Sequence, residues 1–448
     1  SQNWFVVGSS LFAASVSSST LMGHSGEGFI SGIAVFNYNV GAIFVIIFVS
    51  LFFLPFYIKS GIYTIPEYLG RRFDNRSRKY FSFITIIGNV FLDAGAALYT
   101  GALILKIIFP EIDMMWIIIG MALMAGTYTI IGGLSSAINA DMIQSIILIA
   151  GSVLLSIFCF NSVGGWENFV EHFHDGVWLN LIRPNSDTTV PWFSIFLSIP
   201  ILGFYFWGNN QVIVQRVMSA KTVNEGRLGF LFVAFLYVFT LFIFIAPGMV
   251  GRMIDLFGVG DTLPNEIIDG NTLRAQYGID TNEVYPRLIL KLLPVGLIGV
   301  MIACMVSALT STLSATLSSV STLFTMDFYK SWRPESSPRH LVRVGQWTSF
   351  IALVVAVLWA PLIGKFASLV AYYQEFSSYL APPIVGTFLV GLFWKGSTRN
   401  GAFAGLMSGL AMSALIMTYK FGFGGVVPFH FLLWVPILLI LSVLVNII

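Results

Sequence analysis

Charge is what this chain has least of. Only 10% of its 448 residues are Asp, Glu, Lys or Arg, against about 25% in soluble domains. That shortage excludes a water-soluble globular protein. The net charge is +2, which leaves no basic field to attract a nucleic acid; no nucleic-acid partner is expected. Cysteine is nearly absent. Cys159 and Cys304 both fall inside apolar stretches, and neither suggests a disulfide or a metal site. Histidine is scarce as well, with five residues. No GxSxG, HExxH or phosphate-binding loop is present, so an enzyme is not expected. Rings of charge and repeated carbonyl filters, which a channel would need, are missing too.

What the chain has instead is apolar sequence, 56% of its residues. Stretches near 3–22, 32–57, 80–108, 114–132, 137–160, 192–214, 228–250, 288–328, 343–364, 367–394, 400–419 and 428–448 each approach or exceed the roughly 20 residues that span a bilayer. A β-barrel would show alternating segments of about ten residues. The expected fold class is all-α: a polytopic protein of about twelve transmembrane helices, multi-pass in the lipid bilayer of a plasma (inner) membrane. Its first span opens almost at residue 1 and its last runs to residue 448, so flanking helices are expected beyond both ends. The oligomeric state is not legible.

Loop charges orient the chain, because Lys and Arg favour the cytoplasmic side. Lys59, Arg71, Arg72, Arg76, Arg78 and Lys79 follow the second span; Arg216, Lys221 and Arg227 the sixth; Lys330, Arg333, Arg339 and Arg343 the eighth; Lys395 and Arg399 the tenth. Together they hold 15 of the 23 basic residues. The first span therefore starts inside. Of the longer outside loops, near 161–191 and 251–286, the first contains "WENFVEHFHDG", which reads as a surface helix with His172 and His174 facing solvent.

The first five spans and the next five have equal count and opposite orientation, as inverted repeats require. The expected organisation is a single domain, 1–448, with repeats at 1–160 and 192–396 and further helices at 397–448. Span one contains a hydroxyl run, "FAASVSSSTLMGHSG" (12–26). Span six, its counterpart, is interrupted by Pro200, Gly203 and Gly208 in "SIPILGFYFWGNNQ". Disturbances at matching places in two halves point to a site at the membrane midplane.

Two readings compete for the hydroxyls. Ser and Thr in a membrane helix bond back to a carbonyl one turn earlier or let helices pack closely. Span eight carries a second run, "SALTSTLSATLSSVST" (307–322), where Ser311, Ser314 and Ser318 share one helical face and Thr312 borders it. A hard cation wants oxygen ligands, and main-chain carbonyls become free only where a helix unwinds. Unwound backbone is tolerated at membrane depth only if buried in protein or lining a wet cavity. A broken first span facing a hydroxylated eighth would make a cage of neutral oxygens.

The strings "GIYTIPEYLGRRF" (61–73), "YTIIGGLSSAINADMIQS" (128–145), "FYFWGNNQVIVQRVMSAK" (204–221), "STLFTMDFYK" (321–330) and "GTFLVGLFWKGSTRNGA" (386–402) carry a resemblance. The chain resembles the sodium/solute symporter family, in its sodium/glucose (galactose) cotransporter branch. That resemblance implies a LeuT-like five-plus-five inverted repeat, alternating access, and sodium-coupled symport of a small polar solute. It implies one sodium held by the carbonyls of Ala13, Val16 and Ala308 and the hydroxyls of Ser311 and Thr312. In similar proteins an Asp at the place of Asp141 helps hold a second sodium, here with Ser311 and Ser314. Ala315 stands where a hydroxyl is expected, so a second ion and a structural anchor both remain open for Asp141.

The solute pocket implied by the resemblance departs from the family. Asn39 replaces a glutamate, Tyr237 a lysine and Gly203 an asparagine; Thr20 and Ala42 line the same region, and Gln374 is retained beside Glu375. Phe206 would be the aromatic inner gate. His24, Tyr38 and Val370 would be the outer one. Asp93, in "VFLDAGAALYTG", is a second intramembrane carboxylate, read either as a solute ligand or as a structural bond. The pocket suits a neutral hydroxylated solute, a sugar or polyol. A sodium symporter for another solute, such as a monocarboxylate, amino acid, nucleoside or sialic acid, is the alternative.

Overall fold

A computed structural model describes residues 2–447 except 63, 133, 175, 186, 188, 260–262, 264–266, 367, 426 and 428; the side chains of 59, 60, 128, 130–145 and 421 also lie outside the described residues. The described chain is helical, with two isolated bridges in place of any sheet. Large apolar side chains such as Phe44, Trp116, Phe196, Trp347 and Leu415 are exposed. Such a surface belongs in lipid, and the protein is a multi-pass membrane protein.

Among the described residues, seven helical stretches are long and apolar enough to cross a membrane, nine if each of two bent pairs is one span; three apolar helices are shorter. Nine is fewer than the twelve stretches expected from hydropathy. Breaks explain part of the difference. The first span is cut between Trp4–Ser15 and Ser18–Ser31, and a half of 12 residues is shorter than a crossing. Two expected spans also merge into one continuous run, Ser18–Ile58.

Two boundaries differ from the sequence reading. The eighth span begins at Val295, not near 288, because Pro294 stands in extended backbone as its cap (φ −65°, ψ 153°). Residues 288–292 belong to a separate helix, Val284–Leu292. The sixth span does not break at Pro200, Gly203 or Gly208. Pro200 lies in the first turn of Ser198–Phe204, where its missing N–H is no loss. The helix widens into a π turn, Tyr205–Asn209, and ends at Asn210, whose side chain caps the next piece, Gln211–Val217, by accepting from the Val212 N–H. In the outer loop, Trp166–His174 forms the expected surface helix, burying Phe169 and Phe173 while His172 and His174 face outward.

Trp4–Ser15 packs against Val223–Val238 and Leu134–Ser162, and Val295–Leu323 also packs against Leu134–Ser162 and touches Trp4–Ser15. Ser18–Ser31 lies on Ala246–Met253 so closely that a Cβ added to Gly248 would overlap the Ser25 carbonyl. Small residues allow such backbone approach in membrane helices. Gly248→Ala is therefore expected to destabilise the protein by about 1–3 kcal/mol, read as an earlier thermal transition in detergent.

A buried carboxylate is held by an arginine across two helical segments. Asp327 is 1% exposed. Arg78 Nε and Nη2 donate to one of its carboxylate oxygens at 2.9 and 2.5 Å, and the Ser82 hydroxyl donates to the other. Arg78, counted in the sequence as a loop charge, thus ties Asn75–Ile87 to the π turn Phe324–Tyr329.

Candidate functional site

The break in the first span is built from its hydroxyls. Val16 leaves helical geometry (φ −110°, ψ 84°) after its N–H reaches the Phe12 carbonyl at 2.8 Å. Ser17 is extended (φ −91°, ψ 174°) and starts the next helix with a capping box: its side chain accepts from the Thr20 N–H, and Thr20 Oγ1 accepts from the Ser17 N–H. Thr20 Oγ1 also donates to the Ser15 carbonyl at 3.2 Å, and Ser17 Oγ lies 2.7 Å from Ser19 Oγ. The hydroxyl run therefore replaces the helical bonds lost at the break. The carbonyls of the last turn have no partner further along their own helix; of these, Ser15's is taken by Thr20.

A cavity of about 200 Å³ lies against this break. It is smaller than the roughly 300–1,000 Å³ of drug-sized ligand sites, so it suits a small solute. Its walls include Ala13, Val16 and Thr20 from the broken span, and Ser311 and Thr312 from Val295–Leu323. The structure thus brings four of the five expected sodium ligands to one cavity. Ala308 is buried behind it, one turn before Thr312, and its carbonyl accepts the Thr312 hydroxyl at 3.0 Å. That bond uses the Thr312 proton and leaves the oxygen lone pairs available. Ser314 is buried at 2% exposure and does not line the cavity. The side chain of Asp141 lies outside the described residues.

The expected solute residues converge on the same space. His24, Tyr38, Asn39, Ala42, Asp93, Gly203, Phe206, Tyr237, Val370 and Gln374 all line it. Asn39 donates to Thr240 Oγ1 at 2.6 Å and also bonds His24, whose Nδ1 lies 3.0 Å from the Thr20 carbonyl. His24 packs edge-on to Phe244, with ring centroids 5.6 Å apart. Phe206 packs edge-on to Trp207 at 5.3 Å, and Trp207 to Tyr237 at 5.5 Å. Glu375, beside Gln374, is turned away from the cavity and pairs with Lys420 and Tyr379. Arg216 lines the cavity and is 5% exposed, donating to Ser10 Oγ and to the Val212 carbonyl, each at 3.1 Å. It ties Trp4–Ser15 to Gln211–Val217.

Sequence reasoning missed Tyr205, Tyr373, Ser19 and Ser377, which also line the cavity. Tyr373 bonds the Asp93 carboxylate. Its signal was adjacency to Gln374 in "YYQEF". Asp93 and Phe206 sit in π turns, Gly88–Ala94 and Tyr205–Asn209, whose extra residue re-aims the side chains. Such turns are frequent at functional sites.

The sequence profile of the sodium:solute symporter family matches residues 1–409. The chain belongs to this family. Among its relatives this symporter is 32% identical to solute carrier family 5 member 4 of Rattus norvegicus, over 95% of this chain and 66% of the relative. It is 31% identical to sodium/glucose cotransporter 1 of Oryctolagus cuniculus, over 98% and 72%, and 33% identical to sodium/myo-inositol cotransporter 2 of Homo sapiens, over 93% and 64%. The chain spans about two thirds of the length of these relatives. A Na+-coupled sialic acid symporter, solved substrate-bound and outward-open, superposes with a TM-score of 0.81 at 23% identity, covering 100% of this chain and 89% of that one. Mhp1, a nucleobase-cation-symport-1 transporter, superposes at 0.56 and 13% identity, over 100% and 91%. The symporter's fold is the LeuT-like five-plus-five arrangement.

Proposed function

We propose that this symporter couples sodium entry to uptake of a small polar solute, a sugar or polyol, by alternating access. The observation that carries the reading is the meeting of the broken span and the hydroxylated helix at one small cavity. Sodium is a hard cation that takes oxygen ligands. The carbonyls of Ala13, Val16 and Ala308 with the hydroxyls of Ser311 and Thr312 supply five, and four of these residues line the cavity. The rest of the wall mixes amides, phenols and aromatic faces, which suits a hydroxylated solute. The family to which the chain belongs, and the sugar and inositol transporters among its relatives, support the same reading.

The repeats are assigned to 1–160 and 192–396. Sodium from outside joins the broken first span to Val295–Leu323, the solute binds beside it, and His24, Tyr38 and Val370 close above. The repeats then rock, Phe206 moves aside, and both leave inward. One charge moving down about 100 mV supplies roughly 2.3 kcal/mol, and a tenfold sodium gradient about 1.4 kcal/mol; one ion thus supports roughly 500-fold solute accumulation. A second ion at Asp141, Ser311 and Ser314 would square that ratio.

The test is solute binding to purified protein at rising sodium concentration, with potassium replacing sodium in the control. Coupling requires solute affinity to rise with sodium. An affinity indifferent to the cation sinks the proposal.

A further inference from the structure

Asp93 stands apart among the charged groups of the cavity. The wall holds two such residues, Asp93 and Arg216. Arg216 is buried and committed to Ser10 and the Val212 carbonyl. Asp93 is half-buried and opens on the cavity. None of the ion pairs among the described residues includes it. It accepts a hydrogen bond from Tyr373.

A carboxylate offers about four acceptor positions, and one phenol fills one of them. The Tyr373 hydroxyl, itself on the cavity wall, fixes the orientation of the carboxylate. The carboxylate borders the space where a solute would sit, with acceptor positions that Tyr373 does not use. Carboxylates inside a membrane are paired or functional, and no cation of the protein pairs this one among the described residues. Tyr205 and Tyr237 line the same wall; each phenol both donates and accepts. Gln374 adds an amide to the wall and Phe206 an apolar face.

We infer that Asp93, held by Tyr373, determines specificity: it accepts hydrogen bonds from adjacent hydroxyls of a neutral solute and rejects solutes that carry a carboxylate. The attractive half follows from acceptor geometry. The repulsive half follows from charge. In a cavity of about 200 Å³, a solute carboxylate cannot move far from Asp93, and two like charges in a poorly hydrated space repel strongly. Discrimination built from such a clash is a common source of selectivity. The inference rests on the reading of the cavity as the solute site.

The experiment measures sodium-dependent binding of matched pairs, D-glucose with D-glucuronate and D-galactose with D-galacturonate, to the purified full chain. Wild type, Asp93→Asn, Tyr373→Phe and Phe206→Ala are compared. Wild type should bind at least one neutral sugar, and its acid at least about tenfold more weakly. Asp93→Asn keeps the size and removes the charge; it should weaken the sugar about tenfold, the equivalent of one lost charge-assisted hydrogen bond, and bring the acid within about threefold of it. Tyr373→Phe should shift the ratio the same way by less. Phe206→Ala should weaken sugar and acid alike.

A wild type that binds the acid as tightly as the sugar overturns the inference. So does an Asp93→Asn variant with an unchanged ratio; if Phe206→Ala still weakens both members, the cavity reading survives. If neither variant affects binding, or no probe binds wild type, the cavity reading falls and the inference with it.

Discussion

Replacing Ser311 with alanine should raise the sodium concentration needed for half-maximal uptake by about ten- to a hundredfold. Hydrogen bonds and dipoles directed at a full charge are each worth about 1.5–3 kcal/mol, and 1.4 kcal/mol is a factor of ten. The variant deletes one oxygen and little else. Ser311 is half-buried on the cavity wall, in a helix of 29 residues anchored against several neighbours, and alanine is the best helix former. The fold should therefore hold, and a thermal melt checks that it does. At saturating sodium the maximal rate should recover. Uptake titrated against sodium is the measurement; an unchanged sodium dependence would remove Ser311 from the ion site. Thr312→Ala should act the same way but less strongly, because losing the Thr312 hydroxyl also frees the Ala308 carbonyl it now engages for the ion.

The largest loss of stability is expected from Arg78→Met. Asp327 is 1% exposed and accepts from both Arg78 nitrogens and from Ser82. Removing the cation strands a buried carboxylate, and breaking a buried pair from one side costs about 3–5 kcal/mol. Methionine keeps the stem length, so lost packing contributes little. The transition temperature in detergent should fall further than for Gly248→Ala. Pairing the change with Asp327→Asn should restore much of it, because the uncompensated charge is gone. A double variant no more stable than Arg78→Met would show that the pair does not act through charge.

Hydropathy made the architecture legible. Long apolar runs, few charges and basic loops on alternate connections leave little besides a helical membrane protein. The first break was legible because Ser and Thr compete with helical bonds, and because a second hydroxyl run in span eight weighed against the packing reading. The break in span six was placed wrongly. Proline and glycine are tolerated within membrane helices, and the interruption falls at Asn210, whose side chain forms a cap. Span eight was drawn too long because apolar sequence runs through Pro294 unbroken; only backbone geometry separates 284–292 from 295–323.

The candidate site was partly legible. Resemblance placed Thr20, Asn39, Phe206 and Gln374 on one wall, but nothing local couples Asp93 to Tyr373. They are 280 positions apart and meet only because two helices pack side by side. The π turns that aim Asp93 and Phe206 inward left no mark in the apolar periodicity. Arg78 looked like an ordinary loop charge because Asp327, its partner, lies 249 residues away.

The reciprocal bonds of Ser17 and Thr20 carry a kinetic consequence. Because the chain seals its own gap, the interruption needs no guest to stay open. Cation arrival then requires shedding water and gaining access, and no segment must melt or refold first. Loading should consequently be rapid, with weak dependence on temperature beyond that of dehydration. The slow phase of the cycle is left to the rocking of the two halves.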